Sequence, residues 1–331
     1  MGRILTTMAL AVGCVLVAGC KEKKEIPIRG QPITEAFSQP EDPTDQELSE
    51  GGLKFNSPLA LEILVWDRDG EGRILGSTPA AQPLIIPKCR WWVVRPFRYV
   101  EQSNATLDDL LAEAKVHTIR GYWPAMCFDD DVAKLKRWPK LQALYLQGNT
   151  TDAGLAHLKD LEELQVIRLS GSGITDASLV NLKELRGLRW LDLDYTRITD
   201  AGLSNLKDLK RLQGLRLGHT QITDAGLEIL QELKELQVFN LEWTQITDAG
   251  MTHIEDLKDL RCLNLYKTGI TDATLVRLKG LKGLQELNLE STKTTVAGGK
   301  DLIIALPNLK IKPDYWYARI RQGATTASSV H

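Results

Sequence analysis

LRWLDLDYTRITDAGLSNLKDLKR, residues 188–211, decides the fold. It returns as LQGLRLGHTQITDAGLEILQELKE from Leu212, LQVFNLEWTQITDAGMTHIEDLKD from Leu236 and LRCLNLYKTGITDATLVRLKGLKG from Leu260, each starting 24 residues after the last (212−188, 236−212, 260−236). Copies also begin at Leu141, Leu164 and Leu284, the first one residue shorter (164−141 is 23). A partial copy begins at Leu309, and a degenerate one, VHTIRGYWPAMCFDDDVAKLKRWPK, at Val116. A unit this short cannot bury its own leucines, so stacked copies must share one core, and blurred end copies belong to a capped array.

Each recurrent position has a physical job. In LDLDYT, Leu191 and Leu193 alternate with Asp192 and Asp194, which predicts a short strand with the leucines buried and the acids facing solvent. Successive strands then pair in parallel. Thr196, Thr220, Thr244, Thr268 and Thr292 recur where the chain leaves the strand, and a hydroxyl there can bond a backbone group of the turn. Ile198, Ile222, Ile246 and Ile270 fill the core, and the Thr199-Asp200 pair with its copies can cap a helix N-terminus. Leu203 and Leu206 point the helix inward, Lys207 faces water, and small Ala201 and Gly202 let neighbouring helices pack closely. The pattern LxxLxLxxTxITDAGLxxLKxLxx resembles leucine-rich repeats of the ribonuclease-inhibitor-like superfamily. Its ITDAGL segment is most similar to the cysteine-containing repeats of F-box-associated proteins, with threonine where those carry cysteine. The resemblance covers about half the chain. It implies an α/β leucine-rich-repeat solenoid over residues 116–312, a horseshoe with parallel strands on the concave face and helices on the convex face, closed by a C-terminal cap and tail over 313–331.

The N-terminus reads as an export signal. In MGRILTTMALAVGCVLVAGC, Arg3 supplies a positive end, Ile4 to Val17 an apolar stretch, and small Ala18 and Gly19 precede Cys20. The charges Lys21 to Glu25 follow at once, which ends the stretch too soon for a comfortable spanning helix of about 20 apolar residues. Val17-Ala18-Gly19-Cys20 resembles the lipobox of bacterial lipoproteins, which implies cleavage after Gly19 and acylation of the Cys20 thiol. Plain cleavage, an uncleaved anchor and a chance cysteine are the alternatives. Residues 20–52, rich in Pro, Glu, Gln and Gly, read as a disordered tether behind that anchor. Lys21 is not the aspartate that retains lipoproteins at the inner membrane in some bacteria, so the outer membrane or the cell surface is the expected address.

Residues 53–115 read as a small β-rich region, with short strands at Leu59–Trp66, Arg73–Leu75, Leu84–Ile86 and Arg90–Phe97 and a helical start at Thr106–Ala114. Asp67-Arg68-Asp69-Gly70-Glu71-Gly72 faintly suggests a calcium loop but lacks the closing glutamate, and a hairpin turn explains it better. Trp91 and Trp92 beside Arg90, Arg95 and Arg98 suggest either a stacking surface or one ring in a core and one at an interface.

The remaining composition narrows function. A net charge of -2, with 25% charged residues, gives no field for nucleic acid. The five cysteines form no CxxC pair and the five histidines no metal-ligand spacing, so neither a cofactor nor a metal is expected. No GxSxG, Cys-His arrangement or phosphate loop occurs. If leucines and threonines build the horseshoe, the variable strand positions state what it binds. These are Tyr145, Arg168, Asp192, Arg216, Asn240 and Asn264 between the core leucines, Asp194, Glu242 and Tyr266 in the next column, and Tyr195, His219 and Trp243 flanking it. Trp190 stands one position before the strand leucine. Trp190, Tyr195, Trp243 and Tyr266 are the expected exposed anchors. The polar columns read rather as a solvated charge ladder, Arg168, Asp192 and Arg216, with asparagines bonding across strands. The expected function is a non-enzymatic cell-envelope binding or scaffolding protein that takes a protein partner, or else a glycan, on its concave face. The alternatives are the substrate-recognition part of an enzyme with weak activity in 53–115, and a surface adhesin.

Overall fold

The computed structural model describes residues 128–146 and 148–312, with the strand residues 53–55, 61–66, 72–78, 84–86, 91–96 and 121–122. The early strands are β1 (Leu53–Phe55), β2 (Leu61–Trp66), β3 (Gly72–Thr78), β4 (Leu84–Ile86), β5 (Trp91–Pro96) and β6 (Gly121–Tyr122). Each full repeat then forms a three-residue strand centred on the first apolar residue of its signature and ending just before the second: β7 (Ala143–Tyr145), β8 (Val166–Arg168), β9 (Trp190–Asp192), β10 (Gly214–Arg216), β11 (Val238–Asn240), β12 (Cys262–Asn264) and β13 (Glu286–Asn288). The partial copy at Leu309 supplies β14 (Lys310–Lys312).

From β6 to β14 neighbouring strands pair in parallel, and from β7 onward equal repeat positions face one another. Leu144, Ile167, Leu191, Leu215, Phe239, Leu263, Leu287 and Ile311 thus form one buried column. Short helical turns return each chain segment behind the sheet: α-helical at Asp152–Leu155, Asp176–Leu179, Asp200–Leu203 and Asp272–Leu278, and 3-10 at Asp224–Gln231 and Gly250–Asp256. Their leucines and the strand leucines merge into one continuous core along the array. This is the leucine-rich-repeat solenoid, an open parallel sheet backed by helical segments.

In the degenerate copy that starts at Val116, β6 lies at 121–122 and pairs Gly121 with Ala143. Asp129 is what fixes this end repeat, because it occupies the place of the recurrent aspartates and binds Thr151. At the N-terminal edge β2 pairs antiparallel with both β3 and β5, and Val94 of β5 pairs in parallel with Tyr122, so these strands extend the same sheet. β1 pairs separately with β4. Residues 1–52 with Cys20, the Asp67–Glu71 segment, the helical start at Thr106–Ala114 and the tail 313–331 lie outside the described residues.

The recurrent threonines act as expected: Thr196, Thr220, Thr244 and Thr268 each donate to the carbonyl three residues back, at 2.6, 2.5, 2.6 and 2.7 Å, within their own repeat. The Thr-Asp pair does more than cap. Thr199 accepts from the Ala201 N–H as an N-cap, and Asp176 of the preceding repeat accepts from the Thr199 N–H at 2.8 Å and from its hydroxyl at 2.5 Å. The same double bond joins Asp152 to Thr175, Asp200 to Thr223, Asp224 to Thr247, Asp248 to Thr271 and Asp272 to Thr295. Charge-assisted bonds contribute roughly 1.5–3 kcal/mol when shielded, less where water reaches the carboxylate. The glycine of DAG follows from this ladder, since a Cβ at Gly202 or Gly226 would collide with the Asp176 or Asp200 carboxylate. Where Thr274 replaces that glycine, its own hydroxyl and N–H donate to Asp248 instead.

Candidate binding face

Strands only three residues long place neighbouring side chains of adjacent repeats about 4.8 Å apart, so polar residues on the concave face must pair with one another or stay wet. They pair. Arg168 Nε donates to Asp192 at 3.2 Å, and Arg216 donates from Nε at 2.7 Å and from Nη2 to Asp194. Asp194 also accepts from the Gly218 N–H at 2.6 Å and from the Asn240 amide two repeats away at 3.1 Å. Asn264 donates to Glu242 at 2.8 Å, and Asn240 and Asn264 each accept from the N–H two residues on.

Asp192 and Asp194 are therefore both only 2% exposed, against the expectation that they face solvent. The guanidinium groups of Arg168 and Arg216 lie over them, and the ladder read as solvated is a buried one. Burial lifts the Asp194 carboxyl to about 6, helped by Asp192 and opposed by Arg216 and the Gly218 N–H.

Two of the expected aromatic positions are likewise covered. Tyr145 is 2% exposed beneath Arg168, whose guanidinium carbon stands 5.4 Å from its ring centroid, and burial raises its phenol pKa. Trp190 is 3% exposed because its indole lies across the next strand, where any Cβ at Gly214 would collide with it. Trp190 thus serves as floor, lining with Arg216, Asn240, Asn264, Asn288 and Lys312 a shallow cavity of about 220 Å³ on the concave face.

The aromatics that do reach solvent form a row along the strand exits. Tyr195 is 57% and Trp243 46% exposed. The Tyr195 and His219 rings stack at 4.1 Å and 14°, His219 and Trp243 at 5.2 Å and 24°, and Tyr266 meets Trp243 edge-on at 6.3 Å. Lys267, one repeat after Trp243 in the same column, sets its ammonium 3.7 Å from the Trp243 centroid, in cation–π contact.

This row has a backbone peculiarity. Tyr195, His219, Trp243, Lys267 and Ser291 all have φ between 52 and 58°, the left-handed region, and the same place in the two preceding repeats is taken by Gly148 and Gly171. What holds the backbone there is a bond across repeats: the N–H of Tyr195, His219, Trp243 and Lys267 donates to the carbonyl of Gly218, Glu242, Tyr266 and Glu290 at 2.8–3.0 Å. Glycine adopts this conformation freely, whereas a bulky side chain costs about 1 kcal/mol or more. Two glycines heading a column whose later members are large were the sequence signal for it. Ser291 is exposed and outside the aromatic contacts, so Ser291→Gly is expected to raise stability by about 0.5–1 kcal/mol. A higher urea midpoint at unchanged m checks it, and an unchanged or lower midpoint rejects the stored strain.

Residues 186–246 match the leucine rich repeat family. No curated protein matches the chain. Among solved structures, an internalin C2 of Listeria monocytogenes is similar at 25% identity, covering 63% of this chain and 84% of that one with a TM-score of 0.48. An internalin, inlF, of the same organism is similar at 18% identity over 57% and 71%, with a TM-score of 0.33.

Proposed function

We propose that the chain is a non-enzymatic binding or scaffolding protein of a bacterial cell envelope, exported, anchored by lipid on Cys20, and engaging a protein partner through the row Tyr195, His219, Trp243 and Tyr266. One observation carries the reading: Tyr195, His219 and Trp243, whose rings stack, are kept in left-handed backbone where two sister repeats use glycine. Strain of this kind persists where the side chain does something the fold does not need. Exposed Trp and Tyr are also the residues on which interface energy concentrates. The paired polar network beneath gives the row a rigid bed, so little ordering is required on binding. The Val17-Ala18-Gly19-Cys20 motif and the Pro- and Glu-rich tether support the anchored address.

The test is capture from envelope extract by the full chain, by Trp243→Ala and by Tyr195→Ala. Truncating an interface anchor costs about 2 kcal/mol, so recovery of the captured protein should fall roughly 30-fold in each variant. Equal capture by all three proteins removes this surface from consideration.

A further inference from the structure

The stack is closed at one end and open at the other. Lys267 covers Trp243 at the far end. At the near end one face of Tyr195 lies against His219, and the next two places along the row are Gly171 and Gly148. Both glycines are exposed, and no described atom stands within 4 Å of where a Cβ would be built on either. The Gly171 N–H donates to the Asp194 carbonyl at 2.9 Å, in the way the Tyr195 N–H binds Gly218, so the backbone row continues where its side chains stop. Parallel strands about 4.8 Å apart set the pitch of that row. The space over Gly171 is therefore walled on one side by a phenol ring and runs on over Gly148, with room for a planar group laid on that ring.

Charge narrows what fills it. Loss of solvent raises the Tyr195 phenol pKa, and of the charges that act on it Glu242 and Asp194 raise it further, against Arg216. A π face in an acidic surrounding attracts a cation, as the Lys267–Trp243 contact at the closed end does. A guanidinium is flat, permanently charged and weakly hydrated, and it stacks on rings where an ammonium only sits above them. An uncharged aromatic or a sugar ring matches the shape but not the charge.

We propose that the open face of Tyr195 above Gly171 seats an arginine side chain of a protein partner, whose guanidinium completes the stack that Lys267 closes at the other end. This rests on the reading of the same row as a protein-binding surface. It adds the chemistry of the incoming residue and the place it enters.

The test uses the full-length chain in detergent micelles, labelled with 3-fluorotyrosine, with the Tyr195 signal assigned through Tyr195→Phe. The probes are N-acetylarginine amide, N-acetyllysine amide, N-acetyltryptophan amide and chitotriose. The arginine probe should shift the Tyr195 resonance saturably, with a Kd at least about fivefold below each of the others, the ratio expected of about 1 kcal/mol. Gly171→Tyr fills the ledge with a residue that the next repeat already holds in the same backbone, and it should abolish the shift while the protein stays folded. Gly171→Asn, suited to left-handed backbone, serves as the second blocking variant if the first does not fold. No saturable shift with the arginine probe overturns the proposal, as does equal or tighter binding of the lysine, tryptophan or chitotriose probe, or a shift that survives in the blocked variants. Capture from envelope extract that Trp243→Ala loses but Gly171→Tyr keeps would reject the arginine seat and leave the binding role of the row intact.

Discussion

Arg216→Ala is expected to destabilise the fold by about 3–5 kcal/mol, the range for leaving buried charge without its partner. Asp192 and Asp194 are both buried, and Arg216 reaches both, bonding Asp194 and lying 3.7 Å from Asp192. Arg168 remains on Asp192 after the substitution, but Asp194 keeps only the Gly218 N–H and the Asn240 amide. The loss carries a pH signature. The Asp194 pKa is raised by folding, from 3.8 to about 6, so the folded state binds the extra proton in that window. Its contribution to stability is fully present below about pH 4 and disappears as pH rises through about 6. Removing Arg216 takes away the strongest force holding that pKa down, so the window widens upward in the variant. Urea unfolding at pH 7.5 and pH 5.0 should show a smaller gap between the two proteins at pH 5.0. A loss below about 1 kcal/mol, or a gap that widens on acidification, would mean that the concave network is solvated after all.

That network marks where sequence reading reached its limit. Period and alternation were enough to place Leu191 in the core, Thr199 at a helix start and Thr196 on its turn, because those roles depend on contacts within one repeat or on burial alone. They were not enough for Asp176, which looked like half of a cap and is a clamp on the following repeat. Recurrence reveals that a residue matters to the stack but not which neighbour it touches. Alternation also predicted wet acids at Asp192 and Asp194. On a single strand that holds, but in a parallel array one position stacks on itself at strand spacing, and a long arginine from the next repeat buries what its own strand exposes. Trp190 shows the same effect with an indole, the absent side chain at Gly214 giving it room. The exposed aromatics were identifiable by residue type and column. Their left-handed backbone was written only in the change from Gly148 and Gly171 to Tyr195.

Phe239→Ala is expected to cost about 3–5 kcal/mol, whereas Phe239→Leu, which restores the residue most common in its column, should cost less than about 1.5. Phe239 is 1% exposed and stands between Leu215 and Leu263 in that column. A hole there weakens the packing against both neighbouring repeats at once. In a solenoid each repeat contacts only its neighbours, so stability runs along the array as a chain of local interfaces. Beyond Phe239 the described residues hold the copies starting at Leu260 and Leu284 and the partial one at Leu309, close to the three repeats that an array needs. The substitution should therefore uncouple the C-terminal end. Amide exchange in β12, β13 and β14 should speed up more than in β8 and β9, and the unfolding transition should broaden as the array stops melting in one step. The last repeat is already the least locked: Thr294 stands where Ile270 fills the core one repeat earlier, and Val296 where an aspartate would clamp the next repeat. Uniform acceleration across all strands with a single sharp transition would show that the solenoid behaves as one cooperative block, with the hole at 239 felt equally at both ends.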